Sequence, residues 1–347
     1  MNYRWESLDP ANYREDTGRF ISEYAAFPAI PEPASLDRFL STAAQHTTSA
    51  AWRFHIPNIL AFPAHFQDML DFYTTSMFGV MRDNAIGIDA WLPYGRLVQG
   101  EALSCGIEHF RRGKWNCSGT LFWQYNSIWP SADWGVVDYF STPKAGYFYT
   151  KRAYAPVLVT LHPVGDGYEV WLVNDRRAPV TAQLQLHHAT FHGASRWSTS
   201  LTVVVAANSA GCVYTIQRRD LDITEPRSEY LAAVVSDAAC VLSRAYQFLV
   251  DMRALRVPAA RLQVTIGAYD PQSAQIIIST DLFARTVRLE LPDARFDDNY
   301  FHLQPGEQRS ITVRHADLTS GIVRASALNA PATAPIALTD ARHTTAM

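Results

Sequence analysis

The sequence predicts a multidomain chain in which an α/β segment is followed by all-β domains. Helix and strand signals mix in the first 150 residues, whereas from about residue 153 the pattern changes to short strand-like runs, several with apolar and polar residues alternating. The 347 residues are enough for two or three domains of ordinary size. Hydrophobic residues make up 48% of the chain and charged residues 18%, so there is ample apolar surface to build cores, and a disordered protein is excluded.

Charge and composition exclude several classes of function. The net charge of -3 gives no basic surface for nucleic acid, and no apolar run approaches the ~20 residues that span a bilayer. The four cysteines show neither C-x-x-C spacing nor paired histidines, so we expect no metal and no cofactor. The first twenty residues contain no apolar signal segment. The compartment is therefore unknown, or cytoplasmic if the chain is complete as written.

Three helices are predicted in the first 150 residues. Ser35 precedes an apolar stripe at helical spacing and is the predicted N-cap of the first helix. Apolar residues at positions 66, 70, 73 and 77 predict a second, amphipathic helix. A third helix is expected to end at Arg111 and Arg112, because basic residues followed by glycine suit a helix C-terminus.

Two short apolar runs frame these helices and predict strands. Residues 19–24 (R-F-I-S-E-Y) precede the first helix, and residues 119–125 (G-T-L-F-W-Q-Y) follow the third. The second run is apolar without alternation, which is typical of a strand buried on both faces in a parallel sheet or barrel. Two such strands separated by helices indicate β/α repeats.

The pattern from residue 153 onward is typical of β-sandwiches. Apolar and polar residues alternate over 180–187 and 287–291, and turn signals separate the runs. The roughly 195 residues that remain are many for one sandwich and sufficient for two. We therefore place a break near Val257-Pro258, with sandwiches over 153–257 and 258–347.

The stretch most specific for chemistry is residues 119–139, in which Trp123, Asn126 and Trp129 follow the end of the second strand. In a barrel, this end of a strand faces the active site. An indole ring there can stack on the apolar face of a sugar while an amide binds its hydroxyl groups. The same cluster could instead be a tryptophan-rich core that packs against the next domain. Trp91, expected in the loop before the third helix, could line a sugar site or only cover the barrel rim.

Acidic residues near this stretch are expected to have structural roles. Glu101 and Glu108 lie on the third predicted helix and should face solvent or cap packing. Asp133 and Asp138 follow the tryptophan cluster, and Asp138 is expected to fix the loop rather than to react.

Motifs along nearly the whole chain resemble glycoside hydrolase family 2 proteins of the β-mannosidase type. Residues 119–130 resemble the eighth barrel strand of that family, G-x-L-x-W-Q-x-N-x-x-W-P, with Ser127 where an acidic residue is common. Residues 144–159 resemble the bridge into the next β-domain, and residues 297–307 resemble the C-terminal Ig-like domain. The resemblance implies the last two β/α units of a (β/α)8 TIM barrel over 1–152, followed by two Ig-like β-sandwiches.

The resemblance also implies roles for individual residues. Residues 19–24 match the family segment R-F-x-S-E-F/Y-G, whose glutamate is the nucleophile; Glu23 takes that place, and Ala25 stands where glycine is usual. The implied activity is that of a retaining β-mannosidase acting on non-reducing terminal β-D-mannosyl residues of oligosaccharides and glycoconjugates. A cis peptide bond is implied after Trp123. The expected substrate-binding residues are Trp123, Asn126, Trp129 and Trp91.

The sequence offers no candidate for the second catalytic carboxylate. A retaining glycosidase needs a general acid/base about 5–5.5 Å from its nucleophile, and in this family that glutamate lies at the end of barrel strand four. Only 22 residues precede Glu23. We therefore expect the chain alone to be nearly inactive and to need a missing N-terminal part; its other expected partner is carbohydrate, not nucleic acid or membrane. Open alternatives are another family 2 exo-glycosidase (exo-β-glucosaminidase, β-galactosidase or β-glucuronidase) and a non-catalytic carbohydrate-binding protein with a vestigial barrel end.

Overall fold

The computed structural model describes residues 10–24, 27–45, 49–56, 66–82 and 87–339. A helix-rich segment with one parallel sheet comes first, and antiparallel sheets follow. Packing divides the chain into two compact units, Met1–His188 with Ser195–Leu255 and Ala189–Ala194 with Arg256–Met347. Within the described ranges, no helix combines the length and apolar character needed to cross a membrane.

The helix-rich segment places helices between two short strands. Strands β1 (Ile21–Tyr24) and β2 (Thr120–Phe122) pair in parallel, with Ile21 beside Thr120 and Tyr24 beside Phe122. A parallel pair needs a crossover connection, which the intervening helices supply. The helices are α1 (Pro33–Leu36), α2 (Ala50–Phe54), α3 (Phe66–Phe78), α4 (Gly87–Arg112) and, after β2, α5 (Ala145–Ala153).

The second and third predicted helices are confirmed, and the predicted N-cap of the first is wrong. Helix α3 spans the predicted apolar stripe and buries Leu70 and Tyr73 completely, and α4 ends at Arg112 as expected. Ser35, in contrast, lies inside α1 and is buried. The helix begins at Pro33 because the fixed φ of proline suits the first helical turn.

The prediction that the second strand is buried on both faces is also wrong for this chain. Tyr24 on β1 is buried and packs edge-to-face on Phe110 of α4, with ring centroids 5.6 Å apart. Leu121 on β2 is 50% exposed, however, and Phe20, just before β1, is 58% exposed. The parallel sheet is therefore covered on its helix side, while apolar side chains on it remain in contact with solvent.

The first sandwich packs two antiparallel sheets around one core. One sheet has the order β3 (Val157–Val164), β4 (Gly167–Asn174), β7 (Ser209–Ile216); the other has the order β6 (Ser195–Val205), β5 (Val180–Thr190), β8 (Glu229–Ser236), β9 (Val241–Phe248). The alternation predicted over 180–187 is confirmed, since Ala182, Leu184 and Leu186 are buried and the residues between them are not. Both sheets contribute to the shared hydrophobic core.

The second sandwich has two four-stranded sheets. One has the order β10 (Leu262–Asp270), β11 (Ser273–Thr280), β15 (Gln308–Arg314), β13 (Arg295–Phe296); the other has the order β14 (Phe301–Leu303), β12 (Ala284–Glu290), β16 (Ile322–Ser326), β17 (Ile336–Ala337). Ile276, Val287 and Val323 are fully buried between them.

The C-terminal end of α4 is fixed to the first sandwich by a buried arginine. The Arg111 guanidinium donates to the backbone carbonyls of Ala153 and Ala155 and to the carboxylate of Asp175, which lies just beyond β4. Lys114 also forms an ion pair with Asp175. These contacts hold the helix that supports β1 and β2, and so fix the sheet that carries the candidate site.

Candidate active site at the ends of the parallel strands

The candidate site lies where β1 and β2 end. The backbone N–H of Trp123 donates to the carbonyl of Tyr24 at 3.0 Å, so the two strands end side by side. Because the strands are parallel, Glu23 and Trp123 lie at the same edge of the sheet. Glu23 is exposed and Trp123 is 45% exposed. The structure therefore brings together two of the residues that the sequence analysis singled out, and Ala25 lies outside the described residues.

The loop after β2 folds back on itself. The Trp123–Gln124 peptide bond is cis, as the resemblance implies. The Val136 N–H donates to the Gln124 carbonyl at 3.1 Å, and the Ser127 N–H donates to the Val137 carbonyl at 2.9 Å. Asn126 is exposed on this loop, and its side-chain amide donates to the Ser127 carbonyl at 3.2 Å. Its amide is thus placed at the surface of the loop that begins at Trp123.

Trp129 lies further along the same loop, among aromatic rings from the segment that follows β1. Its ring stacks on His55 with centroids 5.0 Å apart and an interplanar angle of 17°. Phe54 meets Trp129 edge-to-face at 5.1 Å. Trp129 is half-buried.

A buried ion pair, which the sequence pattern does not predict, fixes this loop. Lys144 is completely buried, and its Nζ donates to Asp133 Oδ1 at 3.0 Å and to the Asp133 carbonyl at 3.2 Å. The Asp133 carboxylate also accepts hydrogen bonds from the Ser127 and Ser131 hydroxyls, at 2.5 and 2.9 Å, and from the Gly135 N–H at 3.1 Å. Four donors converge on one buried carboxylate, which is how a buried charge is made tolerable.

Trp91 is not a residue of this site. It lies within α4 rather than in a loop, and its side chain is fully buried. The indole N–H donates to Thr74 Oγ1 on α3 at 3.0 Å. Because the Trp91 ring is buried and its N–H is already hydrogen-bonded to α3, the side chain packs α3 against α4 and is not accessible to a ligand.

Two of the remaining acids have structural contacts, and one has a raised pKa. Asp138 Oδ1 accepts the N–H groups of Phe140 and Thr142, both at 2.9 Å, so it fixes its loop as expected. Glu101 accepts the Tyr149 hydroxyl at 3.0 Å. Glu108 does not face solvent freely: burial raises its pKa to about 7, against the opposing charges of Arg112 and Arg14. Within the described ranges, no group of three or more His, Cys, Asp and Glu side chains could hold a metal ion.

Comparisons with known proteins show which proteins the chain resembles. Residues 166–253 match the family model of the mannosidase Ig/CBM-like domain, and residues 257–327 match that of an Ig-fold domain of mannosidases. β-Mannosidase B of Thermothelomyces thermophilus is 26% identical over 357 aligned residues, which cover 90% of this chain and 39% of that protein. β-Mannosidase B of Aspergillus niger is 29% identical over 119 residues, 29% of this chain and 14% of that protein.

Solved structures show the same fold. β-D-mannosidase from Dictyoglomus thermophilum superposes with a TM-score of 0.84 at 23% identity, over 95% of this chain and 40% of that one. The chain matches the C-terminal portion of β-mannosidase-type proteins of glycoside hydrolase family 2. The resemblance found in the sequence is thereby confirmed. Exo-chitosanase CsxA from Amycolatopsis orientalis also superposes, with a TM-score of 0.77 at 18% identity, over 95% of this chain and 45% of that one.

The chain spans well under two thirds of the length of the curated β-mannosidase B relatives that it matches. The match is continuous enough to include both the helix-rich segment and the sandwiches, because 90% of the chain aligns with the Thermothelomyces thermophilus protein. The similarity to β-mannosidases therefore extends beyond the two Ig-like domains into the helix-rich segment.

Proposed function

We propose that these 347 residues are the C-terminal part of a retaining glycosidase that releases non-reducing terminal β-D-mannosyl residues. The observation that carries the proposal is the pairing of β1 with β2. It brings Glu23, from the R-F-x-S-E motif, to the same sheet edge as Trp123, from the G-x-L-x-W-Q motif one hundred residues later. If one of the two motif matches were accidental, there would be no reason for the residues of both motifs to lie at the ends of neighbouring strands.

The chemistry assigned to Glu23 is nucleophilic attack. Its carboxylate attacks the anomeric carbon of the mannosyl residue and forms a glycosyl ester, while the bond to the leaving oxygen breaks. An acid/base group protonates that oxygen and then deprotonates the water that hydrolyses the ester. Trp123 offers its exposed ring to the apolar face of the sugar, and Asn126 offers an amide to its hydroxyl groups.

The acid/base glutamate is assigned to a polypeptide segment beyond these 347 residues. The β-mannosidase B relatives are longer than the match, which leaves room for such a segment. On this proposal the chain alone hydrolyses little or nothing, because attack without protonation of the leaving oxygen is slow.

Residues 1–152 are proposed to be the last two β/α units of a (β/α)8 barrel. The parallel pairing of β1 and β2 across a helical connection supports this assignment. So do the exposed apolar side chains of Phe20 and Leu121, which the neighbouring strands and core layers of a closed barrel would cover. The family-model match over 166–253 falls within the Ig-like sandwich proposed over 153–257, and the match over 257–327 begins one residue before the sandwich proposed over 258–347.

A chimera tests the proposal. Residues 1–347 replace the matching part of the Thermothelomyces thermophilus relative, and hydrolysis of aryl β-glycosides is measured. We expect activity on the β-mannoside that Glu23→Gln lowers by at least about a thousandfold, since the ester can no longer form. Glu15→Gln, at another exposed acid, is the control. Full activity of Glu23→Gln would contradict the nucleophile, and a preference for β-glucosaminide or β-galactoside would favour another family 2 exo-glycosidase. The names of the curated relatives favour the mannoside.

A further inference from the structure

One face of the half-buried Trp129 ring is covered by His55, and no ring of the described residues lies on the opposite, outer face. His55 stacks on it, with centroids 5.0 Å apart at 17°, and Phe54 lies 5.1 Å from Trp129 and 5.3 Å from His55, perpendicular to both. A ring stacked on the outer face of Trp129 would lie much farther from His55 than from Trp129. Because Phe54 is at nearly the same distance from both rings, it lies beside the stacked pair and not on the outer face. Among the described residues, no other ring packs on Trp129.

His55 holds this stack by three contacts with the Trp129 loop. Besides the ring contact, its Nδ1 lies 2.7 Å from the carbonyl of Pro130, and its own carbonyl accepts the Ala132 N–H at 3.1 Å. A carbonyl oxygen carries no proton, so Nδ1 must be the donor. These two hydrogen bonds to the loop that carries Trp129 keep the His55 ring against the Trp129 ring.

His55 is itself held rigidly. It caps the C-terminal end of α2, where its N–H donates to the carbonyls of Ala51 and Trp52. Helix α2 is anchored by Trp52, which is buried and donates its indole N–H to Gln67 on α3 at 2.9 Å. Phe39 covers His55 as well, with centroids 4.7 Å apart. A side chain pre-positioned in this way loses little conformational entropy when a ligand binds.

We propose that His55 is the positioning residue for Trp129, and that the outer face of Trp129 binds the pyranose ring on the leaving-group side of the scissile bond. This inference rests on the proposed function, which assigns the mannosyl ring to Trp123 at the strand end. Trp129 lies six residues further along the same loop and is supported by the segment that follows β1. An enzyme that releases terminal residues holds one sugar on the glycone side, so a second pyranose at this loop belongs to the leaving group, and the substrate class is an oligosaccharide rather than a simple alkyl mannoside.

The experiment uses the full 347-residue chain labelled with 5-fluorotryptophan, in which the ¹⁹F resonance of Trp129 is assigned from its loss in Trp129→Phe. The chain is titrated with β-1,4-mannobiose, which carries a second pyranose, and with methyl β-mannoside, which does not. We expect mannobiose to shift the Trp129 resonance and methyl β-mannoside to leave it unchanged. A Trp129 resonance whose chemical shift is unchanged by mannobiose, or that shifts equally with both sugars, would overturn the proposal.

Two variants of His55 separate positioning from general stability. His55→Gln keeps a donor for Pro130 but removes the ring, so the Trp129 resonance should move in the free protein and mannobiose should bind about three- to tenfold more weakly. His55→Phe restores a stacking ring and should recover most of the affinity. Arg53→Gln, an exposed neighbour on α2, is the control. An unchanged affinity in His55→Gln would refute the positioning role.

The result can be told apart from a failure of the proposed function. Sugar binding at Trp129 is read without hydrolysis and without Glu23. If the chimera fails to cleave mannosides, a shift of the Trp129 resonance with mannobiose still supports the sugar-binding role of Trp129. If the Trp129 resonance does not shift, the sugar-binding role is refuted, but the assignment of Glu23 as nucleophile is unaffected.

Discussion

Replacing Lys144 with methionine should strongly destabilise the segment that carries the candidate site. Lys144 is completely buried and the Asp133 side chain is 8% exposed, with 3.0 Å between Nζ and Oδ1. Methionine has a similar unbranched shape but no charge. The Asp133 carboxylate would then be buried without a counter-charge, and the Ala29 carbonyl would lose its contact with Nζ at 3.4 Å.

The magnitude follows from what remains around Asp133. Removing one partner of a buried ion pair costs about 3–5 kcal/mol. The Ser127 and Ser131 hydroxyls and the Gly135 N–H still donate to the carboxylate, so we expect the lower end, about 3 kcal/mol. The double variant Asp133→Asn/Lys144→Met leaves no unpaired charge. It should therefore lose less than the sum of the two single losses, by about 2 kcal/mol or more.

Urea unfolding followed by tryptophan fluorescence is the assay. Seven of the nine tryptophans lie at or before residue 134, so the signal reports chiefly on the helix-rich segment. Lys151→Met, at an exposed lysine of α5, is the matched control and should change stability by less than about 0.5 kcal/mol. A loss below about 1 kcal/mol for Lys144→Met, or strict additivity in the double variant, would refute the reasoning.

Two further predictions concern α4. Burial raises the pKa of Glu108 to about 7, so the folded state favours the neutral carboxyl. The free energy of unfolding is therefore highest below pH ~4.3 and should fall by up to ~3 kcal/mol as the pH rises to about 7. Stability measured against pH should show this fall relative to Glu108→Gln, and parallel curves would contradict it. Thr74→Val leaves the buried indole N–H of Trp91 without its acceptor and should lower the unfolding free energy by about 1–3 kcal/mol. Thr75→Val, at an exposed hydroxyl, is its control, and equal losses in both variants would argue against the buried hydrogen bond.

The parts of the fold that the sequence predicts are those set by local pattern. The stripe of α3 and the alternation of β5 follow from helical and strand periodicity alone. The proximity of Glu23 and Trp123 is predictable only through the family motifs, because the local sequence pattern does not indicate which strands pair.

The parts of the structure that the sequence does not predict depend on tertiary contacts. Lys144 begins α5 as its N-cap residue, a place where lysine is normally exposed, and only the fold reveals that it faces Asp133. Trp91 was misplaced because α4 begins at Gly87 and runs through Pro93, whose missing N–H argues against a helix interior. The exposed face of β2 was misjudged because an apolar run does not say which part of a protein covers it. His55 carried no motif, and only its stacking and hydrogen bond single it out.

The nucleophile is the central claim, and covalent trapping tests it most directly. The chimera is incubated with 2-deoxy-2-fluoro-β-mannosyl fluoride, from which fluoride leaves as a carboxylate bonds to the anomeric carbon; the fluorine at C2 then slows hydrolysis of the ester. Peptide mass spectrometry locates the label. We predict the fluoromannosyl ester on Glu23 and no label in Glu23→Gln. A label on any other carboxylate, with Glu23 unmodified, would contradict the account.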